Sequence, residues 1–69
     1  MKPLITVREK EVLELIAYEY TSQEIAEMLF VSRHTIITHR KHLLAKFDVK
    51  NVDGLVRRGF EEGFLGLDV

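Results

Sequence analysis

The stretch TSQEIAEMLFVSRHTIITHRKHLLAKF, residues 21–47, decides the fold. Its opening TSQE (Thr21 to Glu24) fits a capping box, in which a threonine hydroxyl accepts from the amide three residues on and the glutamate reaches back to the cap. A helix therefore starts at Ser22, and Ile25, Ala26 and Leu29 at helical spacing predict that it is short, over about 22–29. Only FVS, residues 30–32, separates it from the next start, where Ser32 is a good N-cap. The longer helix predicted over about 33–47 has an apolar stripe, because at 100° per residue Leu43 and Phe47 fall within about 20° of Ile36. Opposite that stripe stand His34, Thr38, Lys41 and Ala45, flanked by Ile37 and His42. A short helix, a three-residue turn and a longer helix with a polar outer face make a helix-turn-helix arrangement.

The same punctuation organises the rest of the chain. TVRE (Thr6 to Glu9) is a second capping box and starts a helix over about 7–19, with Val12, Leu13, Ile16 and Ala17 inward and Glu11 and Glu14 facing water. Asn51 caps a last helix over about 52–62, which Gly63 stops. With no strand-like alternation of useful length, the expected fold class is all-α, a four-helix bundle forming a single domain over residues 1–69. Sixty-nine residues lie near the lower limit for a core without staples, and the chain has no cysteine to supply disulfides or thiolate metal ligands. Hydrophobic residues at 46% with 30% charged residues are the balance of a folded, soluble chain. Apolar runs are too short to cross a bilayer and no signal peptide opens the chain, so a cytoplasmic protein without membrane contact is expected.

The formal net charge of −1 conceals a strong polarity along the chain. Residues 1–32 hold three Lys/Arg against six Glu, residues 33–50 hold five against one Asp, and residues 51–69 hold two against four acids. All three histidines fall between Ser32 and Phe47, with Arg33, Arg40, Lys41 and Lys46 and no acid. A cationic helix inside an acidic chain is the footprint of a polyanion-binding face. Its outer side suits a B-DNA major groove: lysine can donate to guanine acceptors or to phosphates, threonine can hydrogen-bond or touch a thymine methyl, and isoleucine can make only apolar contact. Arg33 in the first turn, and Lys46 and Lys50 beyond, stand where phosphate walls would lie. Gln23, in the first turn of the short helix, has free backbone amides close by that favour an anion.

These residues resemble a known family. LITVREKEVLELIA (residues 4–17), TSQEIAEMLFVSRHTIITHRKHLLAKFDVKN (21–51), LV (55–56) and GFEEGFL (59–65) are similar to the LuxR/GerE-type helix-turn-helix domain, the DNA-binding effector domain of NarL/FixJ-type response regulators and quorum-sensing regulators. The motifs T-x-R-E-x-E-V-L, E-I-A-x-x-L and V-S-x-x-T-[IV]-x-x-H carry the resemblance together. It implies a four-helix domain that binds double-stranded DNA as a homodimer and regulates transcription, with RNA polymerase as a candidate partner. Residue by residue, it puts groove contacts on Ile37, Thr38 and Lys41 and phosphate contacts on Gln23 and Thr35, to which the helical register adds Arg33, His34, His42 and Lys46. It implies a dimer surface on the last helix, assigned to Gly54, Leu55, Arg57, Arg58 and Glu61. The chain departs from the family in having Ile37 and Gln23 where lysine is usual, Glu19 and Asp48 where glycine is usual, and Val52 where a polar residue is usual.

Plainer roles compete at several positions. His39 lies about 60° from the stripe and reads first as a structural, partly buried ring and second as a phosphate contact. His39 and His42 lack the further ligands a metal site needs, so no metal and no cofactor are expected. Arg57 and Arg58 read as solvent-facing or as pairing with Glu61 or Glu62 of a second subunit. Leu55, Val56 and Phe60 read as core first and interface second, and Phe64, Leu65 and Leu67 as an apolar tail that either covers the core or stands exposed. Gly54 and Gly59, costing about 1 kcal/mol each against alanine in a helix, imply a close approach to the core or to a partner. No phosphate loop, carboxylate pair or nucleophile with its base appears, so no enzyme is expected. The competing function is a protein-interaction module that docks a partner through Ile37 and the last helix.

Overall fold

In the computed structural model, which describes residues 2–66, four helices follow one another: α1 (Val7–Ala17), α2 (Ser22–Leu29), α3 (Arg33–Lys46) and α4 (Val52–Glu61). All four starts are those expected. Thr6 and Thr21 close complete capping boxes, Ser32 accepts from the Thr35 amide, and Asn51 accepts from the Gly54 amide. Each cap satisfies amides that would otherwise lack partners in the first turn.

Three of the four ends come earlier than apolar periodicity indicates, and α2 ends at Leu29 as expected. α1 stops at Ala17 rather than Glu19, α3 at Lys46 rather than Phe47, and α4 at Glu61 rather than Glu62. The cause is a repeated terminator: a left-handed residue whose amide, with the next, folds back onto the last carbonyls. Glu19 donates to Ile16 and Tyr20 to Leu15; Phe30 donates to Glu27 and Val31 to Ala26; Asp48 donates to Ala45 and Val49 to Leu44; Gly63 donates to Phe60 and Phe64 to Gly59. This is the Schellman arrangement at every helix end. Glycine serves at Gly63 alone, at φ 81°, whereas Glu19, Phe30 and Asp48 adopt φ of 69°, 58° and 54°. Side chains strain that conformation, by roughly 1–2 kcal/mol against a right-handed residue.

The core takes residues from every helix: Val12, Leu13 and Ile16 from α1, Ile25 and Ala26 from α2, Ile36 and Leu43 from α3, and Leu55 from α4, with Phe47 just beyond α3. α3 is the hub, packing on α1, α2 and α4. Its stripe of Ile36, Leu43 and Phe47 is wholly buried, as the 100° register requires. Phe64 meets Phe47 edge to face, with ring centroids 5.6 Å apart, and carries the Lys2 ammonium over its own ring at 5.0 Å from the centroid, while Leu65 also packs on the core. The expected tail thus covers the core through Phe64 and Leu65, and Leu67 lies outside the described residues.

Three expectations about packing are corrected. Phe60, read as core, is 42% exposed, and the apolar residues that pack on the core after α4 are Phe64 and Leu65. Ala17 is half-buried rather than buried, and Glu11 is half-buried rather than free in water. The glycine question resolves toward the chain itself: a Cβ on Gly59 would lie 2.7 Å from Leu65 Cδ1, and one on Gly54 3.2 Å from Val49 Cβ.

Candidate nucleic-acid interface

The register that buries the α3 stripe turns the opposite face outward. His34, Lys41, His42 and Ala45 are exposed, and Ile37 and Thr38 are half-buried beside them. Arg33 is exposed in the first turn. Thr35 is half-buried, its amide donating to Ser32 Oγ at 3.1 Å and its hydroxyl 2.9 Å from the same oxygen. Gln23 is exposed at the start of α2, where its side-chain nitrogen donates to Glu27 Oε1 at 3.3 Å. These residues gather along one helix and the N-terminal turn of its neighbour, and no acid stands among those of α3.

Lys46 departs from the expected set. Its Nζ donates to Glu9 Oε1 at 2.7 Å, and that oxygen also accepts the Thr6 amide at 2.8 Å. Glu9 is only 3% exposed, so the ammonium that was expected against a phosphate neutralises a buried carboxylate instead. Burial pushes the Glu9 pKa up, but the hydrogen bond from Lys46, then the Thr6 amide and the positive charge of Lys46, outweigh it and hold the carboxyl below its ordinary value. Among the described residues Arg33, Arg40, Lys41 and Lys50 make no ion pair, which leaves the cationic field of this region to them.

Arg40 has no contact of its own in the expected set, although with Arg33 and His34 it is a cation available to compensate for the lysines absent at Gln23 and Ile37. It lines an open groove of about 710 Å³ with Tyr20, Thr21 and Ser22 at the head of α2 and Val52 and Asp53 at the head of α4. Its place about 40° from the buried stripe pointed to the bundle side, and only the packing of α2 brings a helix N-terminus to it. His39 is half-buried, and its Nδ1 is sealed from solvent with no hydrogen-bond partner among the described residues. Among the described residues, no group of three or more His, Asp and Glu side chains converges as a metal site.

On α4 the residues assigned to a dimer surface separate. Leu55 is completely buried in the chain's own core and offers no surface to a partner, a correction to that assignment. Gly54 is half-buried against Val49. Arg58 pairs within its own helix, with Glu62 at 3.4 Å and Glu61 at 3.9 Å, rather than waiting for acids of a second subunit. Arg57 and Glu61 are exposed, as is Phe60.

Comparison with known proteins agrees with this geometry. The family described as bacterial regulatory proteins, luxR family, matches residues 3–58. The oxygen regulatory protein NreC of Staphylococcus haemolyticus is 39% identical over 62 residues, covering 90% of this chain and 29% of NreC, so the chain spans well under half of that relative. The spore germination protein GerE of Bacillus subtilis is 45% identical over 49 residues, covering 71% of this chain and 66% of GerE. A solved structure of the transcription factor GerE superposes with a TM-score of 0.87 at 26% identity, over 93% of this chain and 96% of that one. A crystal structure of a Vibrio cholera VqmA–ligand–DNA complex gives a TM-score of 0.83 at 31% identity, over 93% of this chain and 28% of that one. No helix among the described residues is long and apolar enough to cross a membrane. With its capping boxes, its helix-turn-helix and its match over residues 3–58, the chain belongs to the LuxR family of bacterial regulatory proteins, a family of DNA-binding transcription regulators and not of enzymes.

Proposed function

We propose that this domain binds duplex DNA with α3 in the major groove and the head of α2 against a phosphate, and that it does so as a homodimer in the control of transcription. The carrying observation is the outer face of α3, where Arg33, His34, Ile37, Thr38, Lys41 and His42 form an acid-free surface whose Arg33 and Lys41 make no ion pair among the described residues. Such a face combines phosphate contacts, which orient, with side chains that reach base edges, which specify. VqmA, similar to this chain in fold, has been solved with DNA, which supports the reading. In this reading Arg40 and the α2 amides hold one phosphate, and Gln23 exchanges Glu27 for a second. Arg57, Phe60 and Glu61 are the exposed members of α4 available to a second copy, which would set two half-sites about one helical turn apart. RNA polymerase is the further partner that transcriptional control implies.

Salt dependence tests the proposal. With about four cations per domain released onto phosphates, log Kd should rise with log salt at a slope near 3–4 per domain, about 0.9 for each phosphate. An affinity for duplex DNA that is absent at low salt, or a protein partner held with little response to salt, would favour a protein-interaction module instead.

A further inference from the structure

Ile37 is an apolar side chain in an anomalous place. It is half-buried, yet among the described residues the partly buried apolar side chains that pack on the core include Val31 and Leu44 of this region and not Ile37. It stands on the outer side of α3, next to Thr38 and one turn before Lys41. Its remaining exposed surface is therefore an apolar patch outside the core cluster, on the face of α3 that carries Lys41.

Resting on the reading of α3 as the groove helix, we propose that Ile37 selects a thymine by its 5-methyl group and so fixes one T·A pair in each half-site. Of the four bases, thymine alone presents a methyl group in the major groove, while the other edges present chiefly donors and acceptors. Isoleucine has neither, so placing it over guanine N7 and O6 or over the adenine amino group strips water from polar atoms and gives nothing back. Over a thymine methyl the same side chain buries apolar surface on both partners. Thr38 adds a second methyl to the same patch, and Lys41, one turn on, supplies the donor for a neighbouring guanine or thymine oxygen. No carboxylate stands on the α3 face to accept from a cytosine amino group.

The test begins by enriching duplexes from a random pool with the full chain. A thymine should appear at one fixed position of each half-site. The enriched duplex is then remade with deoxyuridine at that position, which removes the methyl group and nothing else. The intact chain should lose about three- to fivefold in affinity, the worth of one buried methyl, and Ile37→Ala should show no such loss. Ile37→Lys should enrich guanine there instead. An enriched motif in which deoxyuridine weakens the chain and Ile37→Ala equally, or not at all, overturns this inference and leaves DNA binding standing, as does tight binding without any enriched motif. No binding to any duplex at low salt overturns both.

Discussion

Lys46 Nζ and Glu9 Oε1 lie 2.7 Å apart and join the last turn of α3 to the first turn of α1. Glu9 thus serves twice, closing the capping box with Thr6 and receiving the ammonium of a helix 37 residues away in sequence. The bridge fixes the far end of the groove helix to the bundle, while the groove face itself carries no such restraint.

Removing the ammonium should expose the cost of a buried carboxylate. Lys46→Ala should lower unfolding free energy by about 2–3 kcal/mol in urea titrations, below the range for wholly buried pairs because 38% of the Lys46 side chain is exposed. The same variant, studied below its melting temperature, should keep the salt slope of DNA binding, whereas loss of a phosphate contact would reduce the slope by about 0.9.

The ion pair also sets an acid limit. Because the native Glu9 pKa lies below its ordinary value of 4.5, the native state holds the proton more weakly than the unfolded chain does. That contribution to stability is complete above pH 4.5 and is lost as pH falls through the native value. Melting temperatures should therefore fall more steeply with acid for the natural chain than for Glu9→Gln, with the gap between them narrowing below about pH 4.5. A constant gap from pH 7 to 3 would contradict the coupling.

The left-handed caps hold recoverable stability. Glu19→Gly and Phe30→Gly should each raise stability by about 0.5–1 kcal/mol, because relief of the strained backbone exceeds the entropy glycine adds to the unfolded chain. Phe30 is 94% exposed, so its removal forfeits little packing. A lower melting temperature for Phe30→Gly would assign the ring a stabilising contact.

Reversing charge in the groove face should separate binding from folding. Lys41→Glu, at an exposed position without an ion pair, should change stability by less than about 0.5 kcal/mol. Its affinity for duplex DNA should fall below detection in the same buffer, as gel shift or fluorescence anisotropy would show.

Sequence carried the helix starts and the sides of α3 because both are local. A Thr or Ser hydroxyl caps the amide three residues on, and a stripe such as Ile36, Leu43 and Phe47 follows from the pitch of the helix. Helix ends are less legible: the family's usual glycine marks the left-handed positions of Glu19 and Asp48, whereas nothing in the sequence announces that of Phe30. Lys46 counts with the groove cations on sequence since its partner lies across the bundle, and Arg40 reads only as a compensating cation because α2 brings Thr21 and Ser22 to it only in three dimensions. Leu55 belonged to both core and interface on the wheel, and packing gave it wholly to the core.

The central claim is most directly tested by following the backbone amides of the labelled chain by NMR while a mixed-sequence duplex of about 20 base pairs is added at low salt, where non-specific affinities of about 10⁻⁴ M or tighter are measurable. Shifts concentrated in the Gln23 turn and from Arg33 to His42, reversed by added salt, are the predicted result. Shifts centred on α4 or Phe30, or none at saturating DNA, would contradict it.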